Sequence, residues 1–418
     1  MTGLTEWFLA AGALLVLMAL FGAAIERLPV SAAIVYLAFG YALGREGVGL
    51  LDVELHSHLP IIRTIAEIGV VASLFSVGLR LGVPLNDAAW RVPLRLAGPG
   101  MVATIALVML AAWALLGVGW GVALLLAAIV APTDPVLASE VQIRHPSERD
   151  RVRFGLSAEG GLNDGLAAAG IALGLALVGH GPRLAEWLSW DVAWSLPAGL
   201  AIGWASGTLV VRLALALRRR GHAPEGVEVF LVLGLIALAY GVASAAQAEG
   251  FLAVFAAGVA ARRLERRETG RVGTNPGAQQ AAGAPAAMAH ELLSFNRQFE
   301  RIAEVVVVVL AGALLATVEV DLRAFAFAAA VLIVARPLAV SLVLARERIP
   351  VRERRLLQWF GIRGIGSLYW LAFALERGPT AHADAIAAAT FAVIAVSIVA
   401  HGVSATPIME WHQRRRRA

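Results

Sequence analysis

The chain has 418 residues, of which 59% are hydrophobic and 16% are charged, and its mean hydropathy is +0.74. A soluble domain carries roughly 25% charged residues, so this composition excludes an ordinary soluble globule and favours a helical protein that crosses a membrane many times. The chain has no cysteine, which excludes disulfides and thiolate metal sites, and its formal net charge of +5 comes with arginines in loops beside apolar segments, a pattern that argues against nucleic-acid binding.

Apolar segments long enough to cross a bilayer recur along the whole chain. Each crossing needs about 20 residues, and the segment lengths predict about 13 transmembrane helices. The predicted spans are 7–25, 29–44, 61–79, 93–117, 119–140, 154–178, 192–217, 227–246, 250–262, 300–318, 323–345, 354–376 and 384–409. The sequence therefore predicts an all-α polytopic membrane protein made of a single transmembrane domain over residues 1–418.

Arginine-rich loops alternate with loops that are poor in arginine. The basic segments are the loops at 144–153, 218–225, 262–268 and 346–355 and the tail at 410–418. Such loops stay in the cytoplasm, so we expect the N-terminus outside the cell and the C-terminus inside, which an odd number of spans also requires. Residues 263–299 contain many Gly, Ala, Gln and Pro residues, which predicts a flexible cytoplasmic linker.

The segment APTDPVLASE, residues 131–140, carries Pro132 and Pro135 around Thr133 and Asp134. Prolines remove backbone donors and interrupt helical hydrogen bonding. An interrupted span frees carbonyls, which together with a hydroxyl and a carboxylate can coordinate a small cation. The sequence predicts a cation-binding break here, and the alternative is a proline kink whose Thr-Asp pair caps the end of the span.

The segment GLSAEGGLNDGLAAAG, residues 155–170, places Glu159, Asn163 and Asp164 inside an apolar run. Glu159 and Asn163 are four residues apart and share one helix face, whereas Asp164 is turned about 100° further. An ionisable residue inside a membrane costs several kcal/mol unless it is paired or hydrated. Because burial disfavours the charged carboxylate, we expect Asp164 to hold either a proton or a cation, and the alternative is a structural network of hydrogen bonds.

Arg336 lies near the middle of a later span, in VLIVARPLAV. An arginine at this depth needs a counter-ion, and Glu159 is the candidate. The alternative is that Arg336 extends its side chain to the membrane interface.

Arg363 and Ser367 lie in WFGIRGIGSLYWLAFAL, residues 359–375, among Gly361, Gly364 and Gly366. Glycine density permits a span to unwind locally. A second interrupted span in the later half of the chain is typical of a transporter built from inverted repeats. The alternative is that Arg363 is a basic residue at the cytoplasmic edge of the membrane.

The chain resembles the monovalent cation:proton antiporters, in particular the branch of bacterial NhaP-type and animal NHE-type sodium/proton exchangers. The resemblance rests on three motifs in this order: TDP in one broken span, E…ND in the next span and GIRG.GS near the end. The resemblance extends from about residue 5 to about residue 410. It implies an NhaA-like fold with inverted repeats, in which the interrupted helices at 131–136 and 361–366 cross. It also implies a homodimer in which a core of helices moves against a dimerisation scaffold.

The resemblance implies a role for each matching residue at the binding site. Asp164 would carry the cation and the proton, and Asn163 would be its neighbour on the helix. Thr133 and Asp134 would lie beside the cation.

The resemblance also implies roles for residues in the core. Glu159 matches the family's buried acid, which pairs with an arginine in the third span from the end, here Arg336. Arg363, with Gly364 and Ser367, matches the later glycine-rich interrupted helix.

The chain departs from the family pattern at two positions. Many NhaP-type members carry Ser after the buried acid, where this chain has Gly160. Some have an acid in the third span, where this chain reads LFSVGLRL, so Ser76 is a possible ligand. These departures bear on ion selectivity and not on the fold.

The function that follows is exchange of a monovalent cation for protons across the cell membrane, with Na+ first and K+ or Li+ as alternatives. One carboxylate beside Asn163 resembles the electroneutral branch, with one cation exchanged for one proton. The chain has no phosphate-binding GxxxxGK[ST] loop, so ion gradients would drive transport, with no cofactor and no metal beyond the transported cation. Membrane lipids are the other expected partner.

Two other classes of protein remain as alternatives. Asp134 and Asp164 could form the acid pair of an intramembrane aspartyl protease, although the prolines around Asp134 and the buried Arg336 have no place in that chemistry. A passive channel also places acids along an ion path, but a buried pair of Glu159 and Arg336 favours a packed core over an open pore.

Overall fold

The computed structural model describes residues 9, 12, 13, 15, 16, 18, 20, 30–143, 148–179, 183–219, 228–272, 279–378 and 380–417. Most of these residues are helical, and none of them lies in a β-strand, which confirms the all-α prediction. The helices are α1 Ala32–Leu43, α2 Leu59–Arg80, α3 Ala88–Leu116, α4 Trp120–Val130, α5 Arg151–Leu177, α6 Leu184–Leu217, α7 Glu228–Ala245, α8 Gly250–Val272, α9 Gln279–Leu315, α10 Leu322–Val343, α11 Val351–Trp359, α12 Ile365–Arg377 and α13 Ala383–Arg417. The span predicted at 7–25 falls mainly outside the described residues.

Helix length and composition make the chain a multi-pass membrane protein. Among the described residues, α2, α3, α5, α6, α10 and α13 are long and apolar enough to cross a membrane. Other helices are apolar but shorter: α1, α4 and Val229–Ala245 within α7. The 11 residues of α4 rise only about 17 Å, roughly half of a hydrocarbon core, so this helix by itself is too short to cross a membrane.

Three of the long helices contain a π-helical segment beside a proline. The segments are Leu96–Gly100 in α3, Trp187–Trp194 in α6 and Ala330–Ala335 in α10. A proline ring clashes with the carbonyl four residues earlier, and a wider turn relieves that clash. The nearby prolines are Pro99, Pro197 and Pro337. In α10 the widened turn directly precedes Arg336.

The described residues of the linker predicted at 263–299 are helical. α8 continues to Val272, and α9 begins at Gln279 and runs into the next apolar span. Ala, Gln, Glu and Arg are strong helix formers, and their propensity outweighs the scattered Gly and Pro residues. The basic tail at 410–418 is likewise the last part of α13 as far as Arg417.

The helices pack as two groups. In the first group, α8 packs against α6, α7 and α2, and α9 packs against α1 and α2. In the second group, α4 lies between α3 and α5, α10 packs on α13 and α3, and α11 and α12 complete the bundle. The two groups meet chiefly where α12 packs on α2.

A glycine contact brings α2 and α8 close together inside the first group. A Cβ atom on Gly258 would lie 2.5 Å from the Phe75 carbonyl oxygen, and one on Gly78 would lie 2.5 Å from the Phe255 carbonyl oxygen. In a membrane, lipid is as apolar as a helix surface, so small residues that let backbones approach supply much of the packing energy. Because neither glycine has a side chain, the backbones of these two helices can lie in direct contact.

Candidate functional site

The two predicted chain breaks meet in the structure. α4 gives way to a non-helical stretch at 131–143, and α11 and α12 are separated by residues 360–364. The Asp134 amide donates a hydrogen bond to the Ile362 carbonyl over 2.8 Å. The expected pair of interrupted helices in contact is confirmed.

The first break differs from the expectation in one respect. The described residues after the break, 135–143, contain no helix, and residues 135–141 form turns. Pro135 cannot donate a backbone hydrogen bond, and the Asp134 carboxylate accepts from the Val136 amide at 2.7 Å and the Leu137 amide at 3.3 Å. An aspartate that binds the amides two and three residues after it forms a local turn, and here further turns follow it.

The Asp134 carboxylate joins the two breaks. Its second oxygen accepts a hydrogen bond from the Ile365 amide, the first residue of α12. An anionic group is stabilised at a helix N-terminus by the free amides and the helix dipole. Gly364 lies so close that a Cβ atom there would be 2.6 Å from the carboxylate, so only glycine fits. Both oxygens of Asp134 are therefore bound to backbone amides.

Asp164 lies on α5 and is 2% exposed. Among the described residues its one hydrogen bond is a long one, from the Trp370 indole nitrogen to Oδ1 at 3.4 Å. None of the ion pairs in the described part of the chain includes it. A Cβ atom on Gly366 would lie 3.7 Å from the same oxygen, so the start of α12 lies directly beside the carboxylate. Asp164 is thus a buried carboxylate without a basic partner in the described part of the chain.

Asn163 and Thr133 connect α5 to the first break. The Asn163 side-chain amide donates to the Thr133 hydroxyl over 2.8 Å. The Asn163 carbonyl oxygen and the Ser367 hydroxyl are buried and have no hydrogen-bond partner in the described structure. Buried polar atoms without partners are rare, and oxygen atoms are the ligands that small hard cations take.

Glu159 and Arg336 form a buried ion pair between α5 and α10. Both guanidinium Nη atoms donate to the Glu159 carboxylate, with Nη2 at 2.8 Å from Oε2. Nη2 also donates to the carbonyls of Leu357 and Phe360, each at 3.1 Å. These carbonyls belong to the end of α11, where the break removes their helical partners. Arg336 therefore neutralises an acid and caps an interrupted helix.

Arg363 is fully buried in the second break. Its Nη1 donates to the Gly361 carbonyl at 2.9 Å, and its backbone amide donates to the Ser397 hydroxyl at 2.7 Å. Nε and Nη2 have no hydrogen-bond partner in the described residues. Arg363 is therefore enclosed by protein and does not extend to the protein surface.

Ser76 has different partners from those expected of a cation ligand. Its hydroxyl donates to the Glu300 carboxylate over 2.9 Å and accepts from Arg80 over 2.7 Å, and Arg80 also pairs directly with Glu300. This cluster links α2 to α9. Glu300, which binds this hydroxyl, lies 224 residues away in the chain, so local sequence spacing does not predict the contact.

Two residues at or near the site were not identified from the sequence. Trp370 donates to Asp164 and lies three residues after Ser367, so the helical spacing of α12 could have placed it on that face. Glu249 is buried just before α8, and its carboxylate accepts from the Leu252 amide at 2.6 Å. An acid directly before an apolar run is typical of a helix cap, which was the available signal.

The fold and the site define a polytopic membrane protein with two broken helices around a buried carboxylate. The model of the family described as sodium/hydrogen exchanger, transmembrane, matches residues 13–411. The chain belongs to this family, which confirms the resemblance seen in the sequence.

Relatives with assigned names differ in the cation that they are named for. The chain is 28% identical over 385 residues to the K(+)/H(+) antiporter NhaP of Alkalimonas amylolytica, with 90% of this chain and 62% of that protein covered. It is 27% identical over 409 residues to the Na(+)/H(+) antiporter NhaP of Pseudomonas aeruginosa, with 90% of this chain and 88% of that protein covered. The chain thus spans less than two thirds of the first relative.

The fold is also similar to a solved structure. The sodium proton antiporter MjNhaP1 from Methanocaldococcus jannaschii matches with a TM-score of 0.75 and 20% sequence identity, over 96% of each chain. Similarity at this level of identity shows a shared fold.

Proposed function

We propose that this protein exchanges a monovalent cation for a proton across the membrane, and that the two compete for Asp164. The observation that carries the proposal is a buried carboxylate with no basic partner in the described residues, beside two interrupted helices. An ionised carboxylate without a counter-charge is costly in a low-dielectric interior. The carboxylate is therefore moved across the membrane only when it holds a proton or a cation.

The surroundings of Asp164 support a small oxygen-coordinated cation. The free Asn163 carbonyl oxygen, the Thr133 hydroxyl and the Ser367 hydroxyl are the proposed neutral ligands. Asp134 has both oxygens bound to backbone amides, so we assign it a positioning role at the crossing. Asn163 in place of a second acid leaves one exchangeable charge, which supports electroneutral exchange of one cation for one proton.

We propose Na+ as the main cation, with K+ as the alternative, because the named relatives include both kinds of antiporter. Li+ would follow Na+ because both are small and strongly held by oxygen ligands. We also propose that the protein is a homodimer in the plasma membrane, with its N-terminus outside, its C-terminus inside and lipid around its apolar outer surface. The second group of helices would then be the mobile core, and the first group would be the scaffold.

The proposal is tested in liposomes that contain an internal pH dye. Addition of Na+, Li+ or K+ should drive proton movement in the native protein, and Asp164→Asn should abolish it. Asp384→Asn, which removes a 96% exposed carboxylate at the start of α13, is the matched control and should retain exchange. Retained exchange in Asp164→Asn would overturn the assignment.

Two further arms of the same experiment separate the alternatives. Electroneutral exchange continues when the membrane potential is clamped at zero, whereas a passive channel carries current and couples no protons. A protease would cleave a transmembrane peptide substrate, and Asp134→Asn would stop that cleavage. Cleavage or uncoupled current would replace antiport as the function.

A further inference from the structure

A cavity of about 980 Å³ lies at the arginine-rich end of the helices, away from Asp164. Its walls are the chain after α2, the start of α3, the start of α5, the chain after α10 and Arg266 of α8. The first group of helices contributes Arg266 and residues 82–84, and the second group contributes the rest. The cavity therefore spans the boundary between the two groups.

Positive charge dominates this cavity. Seven arginines and four acidic residues line it. The acids are already engaged: Asp87 and Asp150 cap helices, Glu347 pairs with Arg95 at 3.0 Å, and Glu148 pairs with Arg153 at 3.3 Å.

Four of the lining arginines make no ion pair with a described residue. They are Arg91, Arg266, Arg346 and Arg348. All four are exposed, so their guanidinium groups are available to a ligand. An excess of like charge in a concave site raises the local concentration of counter-ions and repels a cation such as Na+. The cavity therefore favours an anionic occupant over the transported ion.

We propose that this cavity binds a phosphate-bearing anion. A guanidinium group presents a planar fork of donors that matches two phosphate oxygens, and it loses less hydration than an ammonium group when it binds. Basic pockets among membrane helices are suited to phosphate headgroups. The same chemistry serves the phosphodiester of an anionic lipid and a free phosphate or pyrophosphate, and the experiment below distinguishes these sources.

Occupancy would connect the two groups of helices. Arg266 lies on α8 in the first group, whereas Arg91 and Arg348 lie in the second. A single anion held by both sides would resist their relative movement. This geometry predicts slower exchange while the anion is bound. That prediction rests on the proposed function, whereas the prediction that the anion binds does not rest on it.

Binding is measured on the purified full chain in neutral detergent, as the shift of the thermal unfolding midpoint at matched ionic strength. The probes are inorganic pyrophosphate and dihexanoyl-phosphatidylglycerol, and dihexanoyl-phosphatidylcholine is the zwitterionic control. Native protein should be stabilised by at least one anionic probe. Arg346→Gln combined with Arg348→Gln should weaken the apparent affinity at least about tenfold, because the double variant removes charge-assisted hydrogen bonds to the phosphate oxygens.

Arg348→Gln alone is compared with Arg323→Gln, which removes an exposed arginine from the opposite end of α10. Arg323→Gln should bind like the native protein. If the double variant does not fold, Arg266→Gln on α8 provides the same test from the other wall.

Stabilisation by the lipid alone identifies a headgroup, and stabilisation by pyrophosphate alone identifies a soluble phosphate. The proposal is overturned if neither probe stabilises the native protein, or if the arginine variants respond as the native protein does. Because no transport is measured, failure here is distinguishable from failure of the exchange mechanism.

Discussion

Arg336 illustrates how one side chain can serve several elements at once. Its guanidinium group neutralises Glu159 on α5 and donates to two carbonyls at the end of α11. A buried charge costs several kcal/mol of desolvation, and this cost is offset only when the charge is paired and its donors are satisfied. At the residue scale, the pair stabilises the junction of three helices next to the proposed carrier.

We expect Glu159→Gln to lower the free energy of unfolding by about 3–5 kcal/mol, because Arg336 then remains buried without a counter-charge. The combination of Glu159→Leu with Arg336→Met should recover part of this loss, although the carbonyls of Leu357 and Phe360 lose their donor. Thermal and denaturant unfolding in detergent measure both effects, with Asp384→Asn as the control. A double variant that is less stable than Glu159→Gln alone would contradict this argument, because independent residues give losses that add.

At the scale of elements, close contacts depend on residues that lack side chains. Gly258 of α8 and Gly78 of α2 face each other across a contact made by backbone atoms. Phe255 of α8 is in turn accommodated by Gly161 of α5, so the same short stretch of α8 packs on a helix of each group. The spacing of these helices determines where α5 holds its polar residues.

Gly258→Val should push α8 away from α2, because the new Cβ atom would lie 2.5 Å from the Phe75 carbonyl oxygen and backbone cannot rotate aside. Overpacking of this kind costs about 1–3 kcal/mol or more. Gly234→Ala on α7 is the matched control, since no atom lies within 4 Å of its added Cβ, and it should be neutral or stabilising. Unfolding temperature in detergent compares them, and an equal response of the two variants would contradict the packing argument.

At the scale of the whole molecule, the two groups of helices touch at a few places outside the site. One lies between the start of α1 and α13, where the Ser31 amide donates to the Gly402 carbonyl over 2.8 Å. A Cβ atom on Gly402 would lie 3.2 Å from the Ser31 Cβ atom. This is close to the separation that a disulfide requires, and the native chain has no cysteine to interfere.

Oxidised Ser31→Cys/Gly402→Cys should lose exchange in liposomes, and a reductant should restore it, if the two groups move against each other. The control is Gly44→Cys/Ala316→Cys, which joins α1 to α9 within the first group, where the corresponding Cβ atoms would be 3.3 Å apart. The control should retain exchange when oxidised. Full exchange in the oxidised Ser31–Gly402 pair would rule out relative movement at this contact.

Much of this architecture could be predicted from local sequence. Hydropathy is a property of a single segment, so apolar length indicated the spans, and Pro132 and Pro135 indicated the first break. Polar residues inside an apolar run identified Glu159, Asn163 and Asp164, because their burial costs the same whichever helices surround them. Helix propensity, also local, could have indicated the helices within 263–272 and 279–299, which the Gly and Pro content of the segment obscured.

Only the tertiary structure decided which distant groups meet. Ser76 pairs with Glu300, which lies 224 residues later, and Asp164 accepts from Trp370, which lies 206 residues later. The same holds for the Asp134 carboxylate at the start of α12 and for the arginine-lined cavity between the two groups. Local spacing fixes which face of a helix a residue occupies, but the facing partner is set by how all the helices pack together. The sequence by itself therefore determined the membrane-spanning class and the buried carboxylate, whereas packing determined that carboxylate's neighbours.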